Sequence, residues 1–185
     1  MDFRYEINLD DDDYMEFNLF HQIRSYYGKK MQSVLRRTIW ILGIAIGILI
    51  VAMGDFTSDS LFYGILFAAL MFIFSFLPKP FLTWSVKRAV KKLKKEGKQY
   101  YTPYSVMEFS EETFKEETPD ERSERRYNTL ERISIVEGRY VYLHQNAAGA
   151  YIIPYTVFKS EDEYRAFIDF LGTKCKDIDY YPSKS

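Results

Sequence analysis

The chain has 185 residues, room for one domain or a small domain with an appendage, which excludes a large multidomain enzyme. Its 25 basic and 26 acidic residues leave a net charge of −1, and 47% apolar with 28% charged residues is the average of a soluble protein. That average hides a segregation: no charge falls within 38–54 or 61–77, so the chain reads as a membrane protein with a soluble majority.

In chain order, residues 3–8 (FRYEIN) alternate like a short strand, and Asp10, Asp11, Asp12 and Asp13 precede a helical run through Tyr14, Phe17, Phe20 and Ile23. Four consecutive aspartates suggest a cation site. They lack the glycine and terminal glutamate of a calcium loop, and N-capping with helix-dipole stabilisation accounts for them better. With the basic residues that follow, this strand and helix form an N-terminal section, 1–37.

Two apolar windows come next, TIWILGIAIGILIVAMG at 38–54 and LFYGILFAALMFIFSFL at 61–77. Each is at the lower edge of what crosses a hydrocarbon core. Arg36 and Arg37 snorkel at the first. Pro78, Lys79 and Pro80 are expected to end the second, with Phe81, Leu82 and Trp84 carrying its apolar character into the interface. Trp40, Phe56, Phe62, Tyr63 and Trp84 supply aromatic belts. A hairpin buried in a soluble core would need more covering layers than this chain has, and a first apolar run starting near residue 38 is too deep for a signal peptide.

The connection at 55–60 carries only Asp55 and Asp59, whereas 22–37 holds five bases and 79–98 holds eight bases with one acid, Glu96. Positive flanks stay inside, so the expectation is a multi-pass protein of the cytoplasmic membrane with both termini cytoplasmic. Gly43 with Gly47, and Gly64 with Ala68, let helix backbones approach closely, either across a homodimer seam or within the hairpin itself. Neither window holds Asp, Glu, Lys, Arg or His, which leaves a proton relay or ion path nothing to run on and makes a transporter or channel an unexpected reading.

In 79–98, Leu82, Val86, Val90 and Leu93 recur at helical spacing, with Lys87, Arg88, Lys91, Lys92, Lys94 and Lys95 on the other faces. This predicts a basic amphipathic helix at the membrane surface, ended by Gly97. Its bases either recognise anionic lipid or serve only as a positive-inside anchor. Nucleic acid is not an expected partner, because the bases have no interleaved aromatics and adjoin an apolar window.

Residues 99–185 hold 11 bases and 16 acids. An acidic domain beside a basic neck is held off anionic lipid, which favours a protein partner for its exposed face. Short β-type segments at 104–109, 113–118, 124–130, 133–137, 140–144 and 150–154 are followed by a helix capped by Ser160, through Tyr164, Phe167, Ile168 and Leu171. The expected fold is membrane α+β: a two-helix hairpin carrying an antiparallel β-sandwich or partly open barrel capped by a C-terminal helix, with 3–8 available as a seventh strand.

The stretches FRYEINLDDDDYMEFNLF, LPKPFLTWSVKRAVKKLKKEG, YNTLERISIVEGRYVYLH and AYIIPYTVF resemble the YcxB-like proteins, small bacterial membrane proteins. The resemblance implies a C-terminal domain related to pleckstrin-homology-like folds and implies no activity. Tyr127 stands where that pattern often has tryptophan, and Tyr155 where a basic residue is common.

Catalysis needs a nucleophile with its base, a metal cluster or a phosphate cradle. His21 and His144 are the only histidines and Cys175 the only cysteine, so no Cys/His metal set or disulfide is built within one chain. No Walker loop, GxGxxG, HExxH or GxSxG occurs, and Glu111, Glu112, Glu116 and Glu117 read as a solvated face. His144 reads as a strand-end polar residue. Tyr151, Tyr155 and Phe158 either line a peptide groove beside the last helix or pack in the core. The resulting expectation is a non-enzymatic interaction or regulatory protein without a cofactor, with a lipid-recognising or envelope-stress accessory as the alternative.

Overall fold

Alternating strands build one compact unit, residues 1–17 with 97–185, and apolar helices build another, residues 18–96. A computed structural model describes residues 2–96, 101–147 and 149–183.

In the β unit, strand β1 (Phe3–Asn8) buries Phe3, Tyr5 and Ile7 and turns Arg4, Glu6 and Asn8 to solvent. It pairs antiparallel with β2 (Tyr104–Phe109) along its whole length, Tyr5 opposite Met107, and the Leu9 amide extends the ladder to the Pro103 carbonyl at 2.7 Å. The N-terminal segment is thus a strand of this unit. Strands β3 (Thr113–Glu117) and β4 (Arg122–Arg126) complete a sheet of order β1-β2-β3-β4. The expected strand 124–130 stops early. Tyr127–Thr129 forms a 3₁₀ turn, because the Tyr127 ring packs on Phe114 and its hydroxyl donates to the Ser110 carbonyl at 2.9 Å.

The second sheet has the order β7-β6-β5-β8. Strands β5 (Arg132–Val136) and β6 (Tyr140–His144) are joined through Gly138, whose φ of +63° suits a residue without a Cβ. Strand β7 (Ala150–Pro154) leads to α5 (Glu161–Lys174). The helix is capped at both orphan ends of its first turn: Ser160 Oγ accepts from the Glu163 amide at 3.1 Å, and the Glu163 carboxylate accepts from the Lys159 amide at 2.7 Å. Strand β8 (Ile178–Tyr181), which the sequence pattern does not announce, returns parallel to β5. Arg132 fastens it, with Nη1 2.8 Å from Asp179.

The core between the sheets is an aromatic cluster centred on Phe167 of α5. Its ring lies 5.3 Å from Phe3, 5.2 Å from Tyr5, 4.9 Å from Phe109 and 5.5 Å from Phe158. The second sheet is buried on its outer face too, at Ser134, Tyr142 and His144. There the start of α1 (Asp11–Leu19) docks: Phe17 packs 5.3 Å from Tyr142, and the Tyr140 hydroxyl donates to Asp13 at 2.7 Å.

In the helical unit a π-turn, Phe20–Arg24, precedes α2 (Tyr26–Met53), which Ser25 caps by accepting from the Gly28 amide at 3.1 Å. At 28 residues α2 is about 42 Å long and is apolar enough to cross a membrane. It begins well before the expected position 38 because its polar first turns continue the same helix. Helix α3 (Ser58–Phe74) is about 26 Å long and packs antiparallel on α2. The tight turn places Asp55 and Phe56 at positive φ, 52° and 55°. Backbones nearly touch at the crossing: a Cβ on Gly47 would sit 2.9 Å from the Gly64 carbonyl oxygen, and one on Gly64 2.8 Å from that of Gly47.

One sequence expectation is corrected here. Pro78 and Pro80 do not end α3, which stops at Phe74; they open α4 (Pro78–Lys95), where a first-turn proline loses no intrahelical hydrogen bond.

Candidate functional site

Helix α4 carries the basic neck, and its apolar stripe is partly covered by protein. Val86 and Val90 are buried, at 5% and 8% exposure, with Leu82 and Leu93 half-buried. The stripe through which the sequence reading lays this helix on a membrane is thus covered by protein at Val86 and Val90. The face left open holds Phe81, Trp84, Lys87, Arg88, Lys91, Lys92 and Lys95, and the side chain of Lys94 and residue Gly97 lie outside the described residues. The Arg88 guanidinium sits 5.1 Å over the Trp84 ring. A shallow hollow of about 580 Å³ is lined by Trp84 and five of these bases, with no acid in its walls among the described residues. Such a face can hold an anion by charge and an acyl or headgroup edge by the indole.

Of the two readings of Tyr151, Tyr155 and Phe158, core packing holds for Tyr151 and Phe158. Tyr151 is buried edge-on to Phe114 at 5.3 Å, and Phe158 is buried against Tyr5 at 5.0 Å and Tyr164 at 5.2 Å. Alternation on β7 points Tyr151 inward, and the 3₁₀ turn after Pro154 folds Phe158 over the end of the core. Tyr155 remains partly open, its hydroxyl donating to Glu161 at 2.7 Å.

The four aspartates are engaged in capping and docking. Asp10 Oδ1 accepts from the Asp12 and Asp13 amides at 2.8 Å each, Asp13 Oδ2 accepts from the Asp10 amide at 3.1 Å, and Asp11 accepts from the Tyr101 hydroxyl at 2.9 Å. Burial, then the hydrogen bond to Asp13, pushes the Tyr140 hydroxyl well above the usual phenol range. Among the described residues no group of three or more His, Cys, Asp or Glu is placed to hold a metal. His144 is fully buried, with Nε2 3.1 Å from Ser134 Oγ.

Helix α5 and β8 enclose what sequence reasoning missed, a groove of about 590 Å³. Tyr164, Ile168 and Asp169 face it from α5, Ile135 and Glu137 from β5 and the turn after it, and Tyr180 from β8. The alternation of Ile178 and Tyr180 was the available signal, masked by its four-residue length and by Asp177 and Asp179.

Near Tyr151, Glu116 of β3 lies opposite Ser123 and is half-buried. Burial raises its pKa, Glu121 raises it further, and Arg125 partly offsets both. A carboxyl raised in the folded state favours the fold while protonated and loses that contribution as pH rises. Glu116→Gln is therefore expected to raise the thermal unfolding midpoint at pH 7, with the gain vanishing below about pH 4, where the carboxyl is neutral in both states. Unfolding scans at the two pH values check this; equal midpoints at pH 7 would contradict it.

Residues 109–171 match the YcxB-like protein family. The matched stretch runs from the last residue of β2 through most of α5, and so takes in the sheet-to-sheet crossing and Phe167. Neither a curated protein nor a solved structure matches the chain. Over residues 109–171, about a third of its length, the chain is thus similar to the YcxB-like protein family.

Proposed function

We propose that this chain is a non-enzymatic interaction or regulatory protein in which a two-helix membrane hairpin holds a pleckstrin-homology-like domain at the cytoplasmic face of the cell membrane. The observation that carries this reading is the pairing of β1 with β2. Residues 9 and 103 are joined by a 2.7 Å backbone hydrogen bond, so the segment between them leaves the β unit and returns to the same place. A membrane crossed by that segment is crossed an even number of times. Helix α2 is long enough for one crossing, and α3, close-packed against it and apolar on its remaining faces, supplies the second. The bases flanking both helices, against Asp55 in the turn and Asp59 at the start of α3, favour the turn outside. Two four-stranded sheets with a helix at one open end support the pleckstrin-homology-like assignment.

The exposed cationic face of α4 favours a second reading, recognition of anionic lipid through Trp84, Arg88 and their neighbouring lysines. With Val86 and Val90 buried, those groups are what the helix offers outward.

A cysteine at the exposed Asp59, in the first turn of α3, tests the first reading. In a Cys175→Ser background, Asp59→Cys should react with a membrane-impermeant maleimide added to intact cells, while a cysteine added after Ser185 should react only after permeabilisation. Protection of position 59 in intact cells would overturn the orientation. For the second reading, changing Lys87, Lys91, Lys92, Lys94 and Lys95 to Gln should weaken association of the full chain with anionic liposomes, at about 1 kcal/mol per base near the surface, and salt should weaken the unaltered protein likewise. Equal association with neutral and anionic liposomes would remove it.

A further inference from the structure

Each sheet edge of the β unit but one is blunted. Strand β1 carries Arg4, Glu6 and Asn8 outward, β4 reads RSERR, and β7 ends in Pro154. Strand β8 is the edge of the second sheet and bears Tyr180, 69% exposed, which makes it the most exposed large apolar side chain described in this unit. Tyr180 stands over the groove beneath α5, whose apolar floor is Ile135, Tyr164 and Ile168. The charged groups around that floor are Glu137, Glu161, Asp169 and Arg165. Arg165 is committed to Glu161 at 3.0 Å, whereas Glu137 and Asp169 have no ion-pair partner among the described residues. The groove is therefore an apolar trough with uncompensated negative charge, beside a strand edge open to pairing. These carboxylates repel anionic headgroups and favour a cationic occupant.

We propose that the α5–β8 groove docks an extended basic segment of a partner protein, which adds a strand along Ile178–Tyr181. An apolar side chain of that segment packs against Tyr180 and Ile168, and its Lys or Arg residues meet Glu137 and Asp169. Main-chain hydrogen bonds give such a mode its affinity, and alternate side chains give it specificity. This assignment rests on the reading of the chain as an interaction protein and names its site and the class of its partner.

The test uses the full chain in nanodiscs of neutral phosphatidylcholine, titrated with the peptide Lys-Val-Arg-Val-Lys-Val-Arg and with its Glu-Val-Asp-Val-Glu-Val-Asp counterpart. The basic peptide should bind saturably and slow amide hydrogen exchange at 178–181, and the acidic one should not. Tyr180→Ser, and separately the pair Glu137→Gln with Asp169→Asn, should each weaken binding about tenfold or more. Tyr180 and the two carboxylates are exposed, so the variants should keep the thermal unfolding midpoint of the parent. Equal binding of the two peptides, protection elsewhere or nowhere, or variants that bind like the parent would overturn the assignment. Self-association of the unliganded protein that Tyr180→Ser abolishes would also overturn it, by giving the groove to a second copy. Loss of peptide binding leaves the labelling of Asp59→Cys untouched, so failure of the groove is distinguishable from failure of the membrane reading.

Discussion

The pairing of β1 with β2 is the constraint on which the rest of the molecule depends. It joins residues 3–8 to residues 104–109 across the entire helical unit. Closing a loop of roughly a hundred residues costs about 4–5 kcal/mol of chain entropy. Burying Phe3, Tyr5 and Ile7 returns about 1.5–3 kcal/mol each, enough to hold the strand in place. The Phe167 cluster is where that return is made, since α5 supplies the ring on which both Phe3 and Tyr5 rest. The YcxB-like stretch thus provides the surface, and the far N-terminus completes the sheet.

That closure ties the chemistry of the helices to their connectivity. Because the chain must return to its starting edge, α2 needs a partner running the other way, and the glycine contacts at Gly47 and Gly64 bring α3 close enough to serve. The small residues are used within one chain, where a Cβ on either glycine would strike the other's carbonyl oxygen. Charge follows the same division. The bases gather on α4 and the approach to α2, and the acids gather on the β unit, so the two parts of the protein present opposite signs to whatever they meet.

Much of this was legible in the sequence for definite reasons. Alternation in FRYEIN fixes β1, the turn at 137–139 and the loop at 145–149 bound the apolar runs 140–144 and 150–154, and Ser160 with Glu163 marks the start of α5 through a reciprocal cap. The misreadings came where long-range contacts decide between local alternatives. A proline pair after an apolar helix is a stop signal until the next helix is seen to start on it. Tyr127 reads as a strand residue until its hydroxyl finds the Ser110 carbonyl seventeen residues away. Tyr151 and Phe158 look the same in sequence whether they line a groove or fill a core, and only the position of α5 separates the two. Strand β8 depends on Arg132 reaching Asp179, a contact that no local pattern encodes. The groove that β8 creates was hidden for that reason.

The central claim, that β1 closes on β2 and returns the chain to the edge it left, is tested most directly by a cross-link between directly opposed residues. Arg4 and Glu108 face each other across the ladder on its exposed side. Opposed residues of an antiparallel pair lie at Cα separations compatible with a disulfide. In a Cys175→Ser background, Arg4→Cys with Glu108→Cys should oxidise in membrane vesicles to a product whose tryptic digest links the two peptides, and both thiols in the reduced protein should react from the same face of the membrane. No linked peptide, or two thiols that react from opposite faces, would contradict the account.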